Sequence, residues 1–219
     1  MEILFVKYLH LLCLVYWLGG DLGTFIAGRF VINEKLSASA RVVATKILLA
    51  CDQGPRFAMP LTLPSGMQLA YLMGVFAVPV WFMFVVWLLG LGWLATLMAL
   101  HFTTAQAKGP LTLLDGLLRK SVCFSCLGYG IYSLIFTTSL TVNWAGYKLT
   151  LFGVTVLMGL IIRVKLKPFL AVYGDLVADR VSGETNQAIK QGIDGATPYV
   201  KVIWLVLFIN TAIGLHILA

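Results

Sequence analysis

Apolar positions in this chain fall in long, nearly unbroken runs rather than in the alternation of a half-buried strand or the one-sided stripe of a surface helix. About 20 mainly apolar residues carry a helix across a bilayer core. That length predicts six spans: Ile3 to Val31, Ile47 or Phe57 to Met73, Val80 to Thr103, Ser121 to Val142, Tyr147 to Val164 and Pro198 to Leu218. Pro55, Pro60 and Pro64 interrupt the second, predicting a kinked or partly unwound start, and five spans if it is re-entrant. Asn33 to Lys46 reads as an amphipathic helix at the interface. Gly74 to Pro79 and Asn143 to Gly146 read as short connectors. The fifth helix has the composition to run on towards Asp179, and Ser182 to Thr197 reads as a loop or short surface helix, with Pro198 at a first helical turn.

The composition agrees. Sixty per cent of the 219 residues are hydrophobic and 11% charged, against about 25% charged in soluble domains. The expected fold class is an all-α polytopic transmembrane bundle of about six spans, forming one domain over 1–219. Glu2 stands where a signal peptide would be basic, so the first helix is expected to be retained. The net charge of +7 follows the connections: segments 32–56, 104–120 and 165–197 hold most of the lysines and arginines. This places them in the cytoplasm and both termini outside. The expected location is a bacterial cytoplasmic membrane, with lipid, other membrane subunits or further copies of the chain as partners and no nucleic acid. Neither internal repeats nor P-loop, GxSxG or HExxH motifs occur.

The chemistry concentrates in the first span. His10, Trp17 and Asp21 lie at i, i+7 and i+11, with Lys7 at i−3, so they share one stripe. Ionisable groups inside a bilayer need a partner, water or a ligand, and Gly19, Gly20 and Gly23 let another helix or a flat ligand approach. The stripe reads either as a structural polar seam or as a cofactor site. In the predicted topology His10 and His216 share the outer leaflet, and two imidazoles can ligate a haem iron axially; a site with His10 alone is the near alternative. Lys7 and Lys148 lie where propionates would sit. The candidate cofactor-binding residues are therefore His10, His216, Lys7 and Trp17, with His10 and His216 as metal ligands and haem b as the expected cofactor. Near the inner face, His101, Cys51, Cys123 and Cys126 form a second set, in which thiolates and imidazole suit copper; the alternative is that the cysteines only pack. Asp52 and Arg56 are spaced to pair, as part of a proton path or as fixed charges, and Arg29, Arg56 and Arg163 are the cations considered for Asp21.

Lys7-x-Leu9-His10 followed by Trp17-x-Gly19-Gly20 resembles the first helix of CopD-like copper-resistance proteins and of HemJ-like protoporphyrinogen oxidases. Trp144-x-Gly146-x-Lys148-Leu149 is similar to the HemJ-like Trp-x-His-x-Lys-Leu signature, with Gly146 in place of the histidine, and Arg29-Phe30 is similar to that family's arginine after the first helix. Gly20-Asp21-Leu22-Gly23 and Asp52-x-x-Pro55-Arg56 resemble an uncharacterised group of CopD-like bacterial membrane proteins. The resemblance implies a helical membrane bundle, oxidoreductase chemistry, His10 as haem ligand and Lys148 as a functional lysine. Lys148 and Asp21 are the candidate catalytic residues. Three functions follow as expectations: haem-b redox chemistry or electron transfer, copper transport, or a structural or assembly subunit without a cofactor.

Overall fold

The computed structural model describes residues 1–103, 108–136 and 138–217. Residues 104–107 of the basic segment, Thr137 in the expected fourth span and Leu218 at the end of the sixth lie outside the described residues. The chain forms eight helices among those described: α1 (Glu2–Val31), α2 (Ala38–Cys51), α3 (Gln53–Leu72), α4 (Val80–Phe102), α5 (Lys108–Ile135), α6 (Asn143–Lys165), α7 (Lys167–Val177) and α8 (Gly183–Gly214). The protein is an all-α polytopic membrane bundle, in which α1, α4, α6 and α8 are long and apolar enough to cross a bilayer. Helix α3 carries three prolines with Gln53, Arg56, Thr62, Ser65 and Gln68, and α5 carries Lys108, Asp115, Arg119 and Lys120, so both are more polar.

The surface of α1 shows what solvent it fits. Leu4, Phe5 and Val15 are each more than 60% exposed, whereas Cys13 and Trp17 are buried. Large apolar side chains outside and polar ones inside is the arrangement required by lipid, which offers no hydrogen bonds.

Helices α2 and α3 run antiparallel to α1 along its whole length, broken only at Asp52. Gly20 and Gly54 face each other across this hairpin. A Cβ on Gly20 would fall 2.6 Å from the Cys51 carbonyl oxygen, and one on Gly54 2.6 Å from that of Tyr16. Only the absence of side chains permits this backbone approach. Prolines 60 and 64 sit inside α3 without ending it. Nearby hydroxyls bond back to the helix: Thr62 Oγ1 donates to Ala58 O at 2.9 Å and Ser65 Oγ to Leu61 O at 2.6 Å.

The packing order α1, α3, α4, α5, α6, α8 returns to α1. Between these helices lies a core including Cys13, Trp17, Met59, Trp93, Cys123, Cys126, Phe152 and Ile203. A second core, of Ala27, Val31, Ala44, Leu48, Phe169, Leu176, Ile189 and Ile193, lies where the end of α1, α2, α7 and the start of α8 meet. Arg41 ties this end together; only 2% exposed, it donates from Nε to Val31 O at 2.7 Å and from Nη1 to Asn186 Oδ1 at 2.8 Å. At the opposite end two connections pair: Ala77 N donates to Ser139 O at 2.8 Å and Thr141 N to Val75 O at 2.9 Å.

Three boundaries differ from the sequence reading. Helix α5 runs from Lys108 without a break into the span expected from Ser121, and Asp115 and Arg119 pair one turn apart and enter the bundle together. Residues 143–146 are the first turn of α6 and not a connector, and Ala145 and Gly146 are buried there. The polar stretch from Ser182 is the first half of α8. The Ser182 hydroxyl caps Thr185 N at 3.1 Å, and Ile189, Ile193 and Ala196 are buried, so the helix continues through Pro198.

Candidate functional site: the polar groups inside the bundle

His10 lies on the face of α1 that meets α3. Its Nδ1 is 2.9 Å from Ser65 Oγ. The single Ser65 hydroxyl proton is directed at Leu61 O, so Oγ accepts here and His10 Nδ1 carries the hydrogen. That leaves Nε2 as the basic nitrogen. The imidazole fits over Gly66, where an added Cβ would come within 3.1 Å of Cε1. Lys148 Nζ donates to Asn210 O at 3.1 Å, and Asn210 Nδ2 returns a bond to Lys148 O at 3.2 Å. Asn210 Oδ1 is buried without a partner. Lys148 and Asn210 thus form one polar pair, between α6 and α8, and His10 and Ser65 another cluster, between α1 and α3.

Trp17 separates this cluster from Asp21. Its ring is buried and meets Phe152 edge-on, with centroids 6.2 Å apart. Asp21 lies three turns beyond His10 on the same face. Its Oδ2 is buried and has no hydrogen-bond partner among the described residues. None of the three arginines considered for it pairs with it. Arg29 reaches Asp194 at 3.2 Å, Arg56 binds Asp52, and Arg163 reaches Asp115 at 2.9 Å.

The third cluster was not singled out by sequence reasoning. Asp115 is 1% exposed and Arg119 5%. Asp115 accepts from Trp93 Nε1 at 2.9 Å and from Arg119 Nε at 3.0 and 3.1 Å, and forms an ion pair with Arg163 Nη2, 2.9 Å away. The Arg119 guanidinium also lies over the Trp93 ring and points Nη1 at Met59 Sδ, 3.6 Å away. The i, i+4 spacing of an acid and a base in an apolar neighbourhood was the available signal, as it was for Asp52 and Arg56.

The cofactor expectations are overturned. Among the described residues no group of three or more His, Cys, Asp or Glu side chains is placed to hold a metal ion, so neither haem b nor copper has the site the sequence led one to expect. His216 does not complete a pair with His10; it is exposed beyond the end of α8, at a positive φ of 56°, with its ring edge-on to Trp144. Lys7 is exposed on α1 and lies off the buried face. The inner thiols do not converge either. Cys51 lies against Gly23 of α1, Cys123 directs its thiol at Gly153 O, and His101 is exposed and packs edge-on against Phe57 and Phe102. At the position where the HemJ-like signature has histidine, a Cβ on Gly146 would already lie 2.6 Å from Ser133 Oγ. Helix α5 fills that space. Of the sequence candidates, His10, Trp17 and Asp21 share one face of α1, while Lys148 pairs separately with Asn210 of α8.

Compared with known proteins, the chain matches no family model, no curated protein and no solved structure.

Proposed function

We propose that this chain conducts protons across the membrane along the buried face of α1, with His10 and Asp21 as the exchanging groups. The observation that carries this reading is the Asp21 carboxyl. It is held inside a membrane-crossing helix with Oδ2 buried and unbonded. An intramembrane acid with one buried oxygen unbonded and no basic side chain in a salt bridge with it among the described residues is costly as fixed architecture and useful as a group that exchanges protons. His10 supplies a second such group, with Nε2 left basic by the Ser65 bond.

In this reading α1, α3, α4, α5, α6 and α8 all cross the bilayer. The paired connections 73–79 and 138–142 lie outside with both termini, and α2, α7 and the second core lie on the basic, cytoplasmic side. His10 then sits towards the outer face and Asp21 towards the inner one, about 16 Å apart along the axis. A proton bound at His10 Nε2 passes to Asp21 Oδ2 and is released inside, each group returning to its starting state. The Trp17 ring stands between them, so water must pass it during transfer, and the conformation described is the closed one. The CopD-like first-helix motif is retained as a proposal of kinship only.

The test is proton entry into proteoliposomes containing a pH-sensitive dye, driven by a potassium diffusion potential. The expected result is uptake above that of protein-free vesicles and a loss of at least about tenfold in Asp21→Asn. Uptake no faster than in empty vesicles, or undiminished in Asp21→Asn, would overturn the proposal and favour the assembly-subunit reading.

A further inference from the structure

The arginines at the inner end of α3, α5 and α6 outnumber the acids that face them. Arg119 and Arg163 share Asp115, and Arg56 binds Asp52. Arg56 lies one turn before Met59 on α3, the residue whose Sδ is 3.6 Å from Arg119 Nη1, and Arg163 meets Arg119 at Asp115. Three guanidinium groups against two carboxylates leave one positive charge unmatched. The unmatched donor is identifiable. Arg119 Nη2 is buried and has no hydrogen-bond partner, on a side chain whose Nε is already committed to Asp115 and whose Nη1 faces only the weak acceptor Met59 Sδ. Asp115 cannot serve it further, since its oxygens already receive Trp93, Arg119 Nε and Arg163. A buried guanidinium nitrogen left without an acceptor forfeits one or more charge-assisted bonds.

Arg56 and Arg163 are 39% and 36% exposed at their side chains. They connect this interior donor with the surface on the basic side of the bundle. Guanidinium forks suit the tetrahedral oxygens of phosphate, and basic recesses between helices on this side of a membrane are where anionic headgroups bind. We propose that Arg119, Arg163 and Arg56 form a binding site for a phosphate group, with Arg119 Nη2 as its innermost donor. The phosphate belongs either to an anionic lipid headgroup or to a free anion.

The test uses the purified full-length protein and reads its thermal midpoint in two arms. One arm compares nanodiscs of phosphatidylglycerol with nanodiscs of phosphatidylcholine. The other adds inorganic phosphate in detergent against chloride at equal ionic strength. The expected result is a rise of about 3 °C or more in at least one arm. A rise with the lipid alone assigns a headgroup, and a rise with inorganic phosphate assigns a free anion. Arg119→Lys keeps a charge for Asp115 but removes Nη2, and is expected to abolish the rise. Arg163→Gln, at a part-exposed position, is expected to reduce it and serves if Arg119→Lys fails to fold. No rise in either arm, or the full rise in the folded variants, would overturn the proposal.

Discussion

Replacing Asp115 by asparagine leaves the shape of the inner cluster intact and removes its only acid. The amide oxygen can still accept from Trp93 Nε1, which is 2.9 Å away. Arg119, however, loses its counter-charge while 5% exposed. Removing one member of a buried ion pair costs about 3–5 kcal/mol, because a charge is left without compensation. In a chain of this size each kcal/mol moves the thermal midpoint by about 2–4 °C, so Asp115→Asn should melt about 6–20 °C below the parent. Arg163 softens the effect at the low end of that range, since its side chain is 36% exposed and can turn to water. The double variant Asp115→Leu with Arg119→Leu removes both buried charges, releases the part-exposed Arg163 to water and orphans the buried indole N–H, a penalty of about 1–3 kcal/mol. The double variant should therefore be more stable than Asp115→Asn alone. Tryptophan fluorescence during thermal unfolding in detergent, with gel filtration to confirm a monodisperse starting state, reads both quantities. A single variant within about 1 kcal/mol of the parent, or a double variant less stable than the single, would refute the view that an uncompensated buried cation sets the cost.

Two further perturbations probe the scaffold. Gly20→Ala places a methyl 2.6 Å from Cys51 O and against Pro55, and neither neighbour can withdraw without moving α3. It should cost about 1–3 kcal/mol and lower proton uptake together with stability, read by thermal unfolding and by the vesicle assay; unchanged stability would show that the hairpin is looser than the backbone contact implies. Arg41→Met keeps the aliphatic bulk but loses the bonds to Val31 O and Asn186, so the amides around the α1–α2 turn should exchange hydrogen faster while the core around Trp17 and Phe152 does not; equal protection in both would deny Arg41 its tying role.

Apolar run length made the helical membrane architecture legible, because lipid demands it directly. Charge counting misplaced the start of α5. Asp115 and Arg119 lie one turn apart and neutralise each other, so this helix carries charge deeper into the bundle than an unpaired residue would allow. Pro198 misled for another reason. Proline favours a first turn locally, but Ile189, Ile193 and Ala196 bury one face of the preceding segment and hold it in line with the rest of α8. The stripe of His10, Trp17 and Asp21 was readable from helical periodicity, while Lys7 was not excluded by it; one turn away, its side chain leaves the packed face. The pairing of His10 with His216 failed because a shared leaflet specifies depth and leaves bearing open. Ser65 and Asn210 gave no signal at all: a serine or asparagine on an apolar helix acquires meaning only from the neighbour that folding brings to it.

The two acids inside the bundle, Asp115 buried as a whole and Asp21 buried at Oδ2, have opposite surroundings. Asp115 is surrounded by donors from α4, α5 and α6, so its ionised form is held and the three helices are fixed to one another. Asp21 has the opposite environment: an unbonded oxygen on α1, with Arg29, Arg56 and Arg163 each committed elsewhere. Had a structural clamp been the requirement at Asp21, a single basic residue directed at it from α3 would have met it, as Arg119 does for Asp115. Arg56 is on that helix and is bound instead to Asp52, one turn before it. This contrast within one molecule is the physical reason for assigning exchange to Asp21 and scaffolding to Asp115.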